Sequence, residues 1–414
     1  MQLRLVIKNT LFQIVARIVS SGIGLLITIL IARSFGVLGY GDFTKITVFI
    51  GLFYILLDFG LNPIFLKEDQ EKIHFKDLFY LRLLFALLLI IVVNLISFFL
   101  PFNEQLNLGF SPSVKIGIMI FSLSLLTQAI LISSAAIFQR KLRFDFLMIA
   151  NIFGSLFTLL LIIYFIFHSL SLNYVLIAFV LGGLLTAVIS LFLTREKIVK
   201  ISLNKIFIKR LLLQSLPLAL TLFFNLVYFR IDIFLLSVFK PTLDVGVYGF
   251  AYKFFDFLIA LPLFLSNSIY PLLLNSQKNH KEFFSLSKKY FFLFFLISLV
   301  VTIISFALSP ILVFIKSDFA LSVVPLRILI VSLPFFFLTS ILQWILISQG
   351  RQKFLMVVYL VSAVLNLCLN LIFIPIASYM ASAIITGVSE AFVFIVLLIA
   401  VIRLRKYLQK QTII

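Results

Sequence analysis

Residues 225–271 read NLVYFRIDIFLLSVFKPTLDVGVYGFAYKFFDFLIALPLFLSNSIYP, two long apolar stretches that contain charged side chains. Four of these charges are Arg230, Asp232, Lys253 and Asp256. A charge at membrane depth costs at least about 2.5–3.5 kcal/mol on insertion scales, so such side chains usually face a bundle interior or a wet cavity. The segment therefore predicts two membrane helices that line a polar interior, which the rest of the chain must complete.

The composition extends this prediction to the whole chain. Of its 414 residues, 63% are hydrophobic and only 12% are charged, unlike an average soluble protein. A membrane-spanning helix needs about 20 apolar residues. We therefore predict an all-α polytopic membrane protein with twelve transmembrane helices, at approximately 9–34, 42–66, 79–101, 114–139, 146–168, 171–194, 211–239, 246–275, 288–315, 321–349, 354–375 and 378–402.

The formal net charge of +19 is explained by topology. With a cytoplasmic N-terminus, the even-numbered hinges and both termini hold most of the 34 Lys and Arg residues, as the positive-inside rule describes. The longest basic hinge is 195–210. We therefore expect both termini in the cytoplasm, and nucleic-acid binding is excluded as the reason for the positive charge.

Several kinds of chemistry lack the residues that they need. Cys368 is the single cysteine, and His74, His168 and His280 are scattered, which predicts neither an internal disulfide nor a metal site. The chain has no G-x-x-x-x-G-K-[ST] phosphate loop. We therefore expect no cofactor, no metal and no enzymatic activity, with any transport driven by an ion gradient, the membrane potential or a partner.

A weak internal repeat divides the chain. A shift of 208 residues aligns Tyr-Gly-x-x-x-Lys at 40–45 with the same pattern at 248–253, and Pro63 with Pro271. Two six-helix halves in the same orientation explain these matches, and transporters commonly bind substrate between such halves. Chance matching in an apolar chain is the alternative. The predicted lobes are residues 1–200 and 201–414.

The spacing of the four central charges predicts how they pair. Lys253 and Asp256 are three residues apart and share a helix face, so we expect them to neutralise each other in part. Asp232 would help to position them, which leaves Arg230 as an available cation. The alternative is a closed structural ion network without substrate contact.

Four other embedded charges are candidates for lining or clasping the bundle. Arg17 and Asp58 lie at similar depths in neighbouring spans and are expected to pair across them, or Arg17 lines the cavity. Arg327 is close to an outer helix end, from which a long side chain can snorkel to the interface. Glu390 is the only acid in its span, which fits either a proton or cation carrier or a capped structural carboxyl group.

Short motifs in both halves carry a family resemblance. They are Asn9-x-x-x-Gln13, ARSFGVLGYGDF at 32–43, DFGL at 58–61, Arg230-x-Asp232, VGVY at 245–248 and Pro271. In this order they resemble the polysaccharide flippases of the O-antigen exporter type, which belong to a superfamily shared with multidrug exporters and the lipid II flippase.

The resemblance implies two six-helix lobes that form a V-shaped central cavity with alternating access. Such flippases carry polyprenyl-diphosphate-linked oligosaccharides from the cytoplasmic to the outer leaflet of the bacterial inner membrane, for polysaccharides of O-antigen or capsule type. Implied partners are the lipid-linked oligosaccharide, membrane lipids, a polysaccharide polymerase and glycosyltransferases. Their cavities tend to be cationic, and the positions that could supply this charge are Arg17, Arg230, Lys253 and Arg327.

Two other functions stay open at this point. A cation-coupled multidrug exporter would prefer acids in its cavity, and the candidates for coupling or ion pairing are Asp58, Asp232, Asp256 and Glu390. A non-transporting membrane scaffold for a glycan-assembly complex would tolerate replacement of all the embedded basic residues.

Overall fold

The computed structural model describes the backbone of residues 2–68, 75–141, 143–196, 204–277 and 279–411, without the side chains of 2–18, 68, 221, 226, 264, 267–268, 271 and 409–411. Almost all of it is helical. The α-helices are α1 (Gln2–Asp58), α2 (Leu61–Glu68), α3 (Phe75–Phe99), α4 (Pro112–Ser122), α5 (Ser124–Arg140), α6 (Phe144–Phe167), α7 (Leu172–Thr194), α8 (Lys205–Phe239), α9 (Thr242–Ser276), α10 (His280–Leu308), α11 (Ile311–Ile315), α12 (Val323–Val331), α13 (Leu333–Ser348) and α14 (Gln352–Gln411). A 3-10 helix covers Ser317–Ser322.

The described chain contains ten helical segments that are long and apolar enough to cross a membrane. Two of them, Val19–Lys67 and Gln352–Leu408, have 49 and 57 residues. At about 1.5 Å per residue, the shorter one extends about 74 Å, more than twice the hydrocarbon core of about 30 Å. Each is interrupted, at Gly36 with φ 67° and at Ser378 with φ 51°. The prediction of a helical membrane protein is confirmed, and the count of twelve spans stays a prediction.

Polar contacts hold the break in α14. Pro375 lacks the N–H of a regular helix turn, and Ser378 adopts a positive φ that is uncommon outside glycine. The Lys240 ammonium donates to the Pro375 carbonyl at 2.8 Å, and the Ser378 hydroxyl donates to Asp244. The turn between α8 and α9 therefore fixes the place where α14 changes direction.

A two-stranded hairpin is the exception to the all-α prediction. Strand β1 (Phe102–Asn103) pairs antiparallel with strand β2 (Leu108–Gly109). Gly109 has φ 80°, and a Cβ there would collide with the Pro101 carbonyl oxygen, so the close approach requires glycine. The hairpin is anchored from α1, because the Lys45 ammonium donates to the Gly109 carbonyl at 2.5 Å.

The chain divides into two compact units: unit 1 is Met1–Leu226 and unit 2 is Val227–Ile414. Each has its own apolar core, with Leu61, Phe65 and Leu78 buried in unit 1 and Leu273, Phe337 and Ile341 buried in unit 2. The division falls inside α8. The lobe boundary at 200/201 and the arrangement of the lobes stay predictions.

Candidate functional site

Helices α8 and α9 carry charged residues of unit 2 several turns away from the turn that joins them. Counting from the turn between the helices at about 1.5 Å per residue, Arg230 lies about 14 Å from Phe239 and Lys253 about 16 Å from Thr242. Half of a hydrocarbon core is about 15 Å. Both cations therefore lie about half a hydrocarbon core away from the turn along their helices, and charges inside such apolar helices are typical of side chains that serve a function.

Arg230 forms the ion pair of this helix pair. Its Nη2 atom donates to Asp256 Oδ2 at 2.8 Å, and its guanidinium lies 5.2 Å from the centre of the Tyr252 ring. The hydrogen-bonded partner of Asp256 is therefore Arg230, and the expected partial neutralisation of Lys253 by Asp256 stays a prediction. A planar guanidinium can bridge neighbouring helices with a charge-assisted hydrogen bond. Asp256 therefore forms its hydrogen bond with Arg230 of α8 rather than with Lys253 of its own helix.

Lys253 is the available cation, the role that the sequence had assigned to Arg230. Its side chain is exposed, and it has no hydrogen bond or ion pair with any residue that the structure describes. The Arg230 side chain is 36% exposed and that of Asp256 is 22% exposed. Unit 2 therefore presents two positive charges and one negative charge on the exposed face of α8 and α9.

Asp232 does not position Lys253 or Asp256, in contrast to the prediction. It is only 3% exposed, and its carboxylate accepts hydrogen bonds from the Tyr248 hydroxyl at 2.5 Å and from the Ile233 backbone N–H at 2.7 Å. The Thr386 hydroxyl of α14 donates to it at 3.4 Å. This carboxylate joins α8, α9 and α14 inside unit 2. The repeated Tyr-Gly pattern in the sequence includes Tyr248, but it did not predict the hydrogen bond between Tyr248 and Asp232.

Glu390 is buried in α14 with a tyrosine as its partner. The carboxyl group is 3% exposed, and Tyr228 of α8 donates to its Oε2 atom at 2.6 Å. Tyr228 was not a predicted site residue, since no charge or motif in the sequence distinguishes it. A capped carboxyl group and a proton or cation carrier are both compatible with this contact, and both roles stay predictions.

Arg327 lies in α12 and contacts α10. Its Nε atom donates to the Ser309 hydroxyl at 2.8 Å, and its guanidinium lies 4.8 Å from the centre of the Phe306 ring. None of the contacts recorded for the described residues joins it to Arg230 or Lys253. A role in binding substrate stays a prediction for this residue.

In unit 1, Asp58 has a partner that the sequence did not indicate. Arg82 of α3, which is fully buried, donates from Nη2 to the Asp58 Oδ1 atom and backbone carbonyl, at 3.5 and 3.4 Å. The expected partner was Arg17, whose side chain lies outside the described residues. The predicted span 79–101 begins three residues before Arg82, but α3 begins four residues earlier, at Phe75, and Arg82 is buried within it.

Unit 1 also holds a groove of about 640 Å³ between α1, α6 and α7. A Cβ at Gly154 or Gly182 would collide with a threonine hydroxyl of the facing helix, so these glycines permit the close approach of α6 and α7. The lining residues whose side chains the structure describes are uncharged. Its small or polar members include Ser20, Gly24, Asn151, Ser155 and Gly182.

The described part of the chain contains no cluster of three or more His, Cys, Asp or Glu residues that could hold a metal ion. His74, one of the three histidines considered in the sequence, lies outside that part.

Comparisons with solved structures identify the fold. A lipid II flippase, MurJ, in an inward closed conformation superimposes with a TM-score of 0.78 at 18% identity, covering 94% of this chain and 87% of that one. A multidrug resistance MATE family transporter of the MOP superfamily, in an inward-facing conformation, gives 0.74 at 14% identity, with 94% and 96% covered. A MOP superfamily transporter from Pyrococcus furiosus gives 0.59 at 13% identity, with 96% and 95% covered. At these identities the likeness establishes the fold alone.

Comparisons of sequence identify the family. No protein with a curated description matches significantly. The MatE family model matches residues 217–372. The model of the family described as polysaccharide biosynthesis protein matches residues 6–277, more than half of the chain. The chain therefore belongs to the polysaccharide biosynthesis protein family, and it shares its fold with solved transporters of the MOP superfamily.

Proposed function

We propose that this protein is a flippase that moves a polyprenyl-diphosphate-linked oligosaccharide from the cytoplasmic to the outer leaflet of the bacterial inner membrane. It would work by alternating access, without enzymatic chemistry, in the synthesis of a surface polysaccharide of O-antigen or capsule type. Family membership supports a role in glycan export. One protein of similar fold is a lipid II flippase.

The observation that carries the proposal is the exposed, unpaired Lys253 beside the partly exposed Arg230. A diphosphate offers several anionic oxygens that accept charge-assisted hydrogen bonds from Lys and Arg. Asp256 holds Arg230 in place through their ion pair. Together the three side chains carry a net charge of about +1, which favours an anionic headgroup over a cationic drug.

The membrane potential supports the direction of transport. An inside-negative potential favours outward movement of an anion by about 2.3 kcal/mol per charge per 100 mV. A cation site in the middle of the membrane would lower the desolvation penalty of the headgroup during the crossing. Coupling to the return of a proton or sodium ion through Asp232 or Glu390 is compatible with this scheme and would add to the driving force.

We propose that Arg17 and Arg327 add positive charge to a central V-shaped cavity between two six-helix lobes, with both termini in the cytoplasm. A polysaccharide polymerase and glycosyltransferases are the proposed partners, because they would use and supply the lipid-linked oligosaccharide.

The function is tested with Lys253→Ala and Lys253→Arg in cells whose surface polysaccharide depends on this protein. We expect Lys253→Ala to reduce surface polysaccharide about tenfold or more and to leave lipid-linked oligosaccharide in the inner leaflet. Lys253→Arg should retain most of the export because it keeps the charge. Lys289→Ala, at another exposed lysine, is the control for a general charge effect.

The result that would overturn the proposal is normal surface polysaccharide in Lys253→Ala at an unchanged protein level. The same result in a variant in which Arg230, Lys253 and Arg327 are all replaced would favour the non-transporting scaffold. Each variant is quantified in the membrane fraction first, so that a failure of insertion is recognised.

A cation-coupled multidrug exporter is the second candidate. Two buried carboxyl groups with tyrosine partners favour it, Asp232 with Tyr248 and Glu390 with Tyr228, as does the MatE match. If Asp232→Asn abolishes drug resistance while surface polysaccharide is unchanged, the exporter replaces the flippase. We expect the opposite result, a loss of surface polysaccharide with no change in drug resistance.

A further inference from the structure

Unit 2 contains a groove of about 470 Å³ at the junction of α13 with both ends of α14. Buried Leu346 and Leu404 form its apolar floor, and partly exposed Phe354 and Ile399 extend the apolar surface along α14. Apolar surface of this shape, accessible from outside the unit, suits a hydrocarbon chain. None of the residues discussed for transport lines this groove.

Two arginines line the same groove. Arg351 lies in the turn between α13 and α14, and Arg403 lies eight residues before the end of α14. Both are exposed, and neither side chain has a hydrogen bond or ion pair with any described residue. An unpaired guanidinium above an apolar floor is available for a planar, bidentate contact with phosphate.

The surrounding charge is of one sign. Lys353, Arg405 and Lys406 lie within a few residues of the two arginines. The one acid between residues 349 and 411 is Glu390, which is about 20 Å from Arg403 along the helix and bonded to a tyrosine. The groove therefore lies in a positive field that acidic side chains of this segment do not cancel.

We propose that this groove binds one anionic phospholipid of the membrane, with its headgroup phosphate between Arg351 and Arg403 and an acyl chain along Phe354 and Ile399. The two arginines match the charge of the phosphate, and the apolar floor matches the chain. The predicted topology puts this end of α14 at the cytoplasmic leaflet, where basic pockets between helices bind anionic headgroups. The site is independent of the proposed flippase activity.

Native mass spectrometry of the whole protein with phosphatidylglycerol or phosphatidylcholine tests the proposal. We expect the wild type to bind phosphatidylglycerol more tightly than phosphatidylcholine, with one lipid bound preferentially. Each arginine near a membrane surface contributes about fivefold to such binding. The Arg351→Ala/Arg403→Ala double variant should therefore bind phosphatidylglycerol about 25-fold more weakly. Its affinity for phosphatidylcholine should be unchanged.

The matched control is Arg405→Ala/Lys406→Ala, which removes two charges from the same helix end outside the groove. It should retain nearly all the preference for phosphatidylglycerol. An equal loss in the control would overturn the proposal, because general attraction to the basic helix end would then explain the binding. An unchanged preference in the double alanine variant would overturn it as well.

Two further measurements cover the remaining outcomes. Arg351→Lys/Arg403→Lys keeps the charge, so it should retain part of the affinity even if the double alanine variant does not fold. Soluble glycerol phosphate is added as a competitor up to millimolar concentration. Efficient displacement of the lipid by glycerol phosphate would show a site for a soluble phosphate ester and would contradict the proposed lipid site.

Discussion

Lys45 and Lys253 occupy the same position of the repeated Tyr-Gly-x-x-x-Lys pattern, and their surroundings are opposite. Lys45 is 1% exposed and donates to the Gly109 carbonyl at 2.5 Å. Lys253 is exposed and unpaired among the described residues. The same residue type, at the same repeat position, is therefore a structural anchor in unit 1 and a candidate for substrate binding in unit 2.

The segment that faces each lysine's helix explains the difference. In sequence, a shift of 208 residues aligns the hairpin at 102–109 with residues 310–317. In unit 2 these residues form α11 and the start of the 3-10 helix. That 3-10 helix contacts α9 directly, through the Ser322 hydroxyl that donates to the Val247 carbonyl at 2.8 Å. In unit 2 this hydrogen bond anchors the segment, so that Lys253 is not needed for the task.

The same shift contrasts the groove of unit 1 with the interior of unit 2. Small groove residues in unit 1 correspond to larger, buried polar residues in unit 2: Ser20 to Tyr228, Gly24 to Asp232 and Gly182 to Glu390. In unit 1 the space is open, and its described lining is uncharged. At the aligned positions of unit 2 stand two buried carboxyl groups and their tyrosine partners, so the interiors of the two units differ in charge.

The largest effect is expected from reversing the charge of Lys253. Lys253→Glu changes the exposed group on α8 and α9 from two positive charges and one negative charge to the opposite, which repels a diphosphate. We expect surface polysaccharide to fall to the background of a deletion strain, with a normal amount of protein in the membrane. Normal export by this variant would contradict the proposed role of Lys253 in binding the substrate.

The next largest effect concerns Lys45 and stability. Lys45→Met leaves the buried Gly109 carbonyl without this donor, a loss that costs about 1–3 kcal/mol. We expect the free energy of unfolding in mixed detergent micelles to fall by about 2–3 kcal/mol. Lys253→Met is the matched control and should not lower it, because Lys253 makes no hydrogen bond with a described residue that the substitution would remove. Equal losses in the two variants would contradict the assigned roles.

A smaller effect is expected for the tyrosine of the repeated pattern in unit 2. Tyr248→Phe removes one of the donors to buried Asp232, while the Ile233 N–H and Thr386 remain. Hydrogen bonds between membrane helices contribute about 0.6–2 kcal/mol, so we expect destabilisation by about 1–2 kcal/mol. Tyr164→Phe, at an exposed tyrosine of α6, should change the unfolding free energy little.

The smallest effect is expected for Ser322. Ser322→Ala removes the hydrogen bond to Val247, and we expect a loss of about 0.6 kcal/mol in the free energy of unfolding. This bond is proposed to replace the anchor that Lys45 provides in unit 1, so its loss should be clearly smaller than that in Lys45→Met. If Ser322→Ala lowers the free energy of unfolding as much as Lys45→Met does, or more, the Ser322 bond is not the weaker of the two anchors and the expectation is contradicted.

Hydropathy and charge placement predicted the helical membrane fold and its breaks. The predicted spans 9–34 and 42–66 leave a gap that contains Gly36, and the spans 354–375 and 378–402 meet at Ser378. The hairpin at 102–109 was missed, because two-residue strands are too short to show a periodic pattern.

The site was predicted less completely than the fold. Sequence placed Arg230, Asp232, Lys253 and Asp256 on neighbouring helices, but the partner of each depends on side-chain direction across α8 and α9. Spacing along one helix favoured Lys253 with Asp256, and the contact between helices selected Arg230. Similarly, the pairing of Arg82 with Asp58 joins α3 to α1, and spacing within either helix contains no information about it.

Reconstituted transport tests the central claim most directly. Protein with Lys253→Ala, Lys253→Arg or Lys45→Arg is placed in vesicles with a polyprenyl-diphosphate-linked oligosaccharide, and its movement between leaflets is followed with a membrane-impermeant enzyme that modifies the sugar. We expect Lys253→Ala to slow flipping about tenfold or more, and Lys253→Arg and Lys45→Arg to remain close to the wild type. Wild-type flipping by Lys253→Ala would contradict the claim that the unpaired cation of unit 2 binds the headgroup.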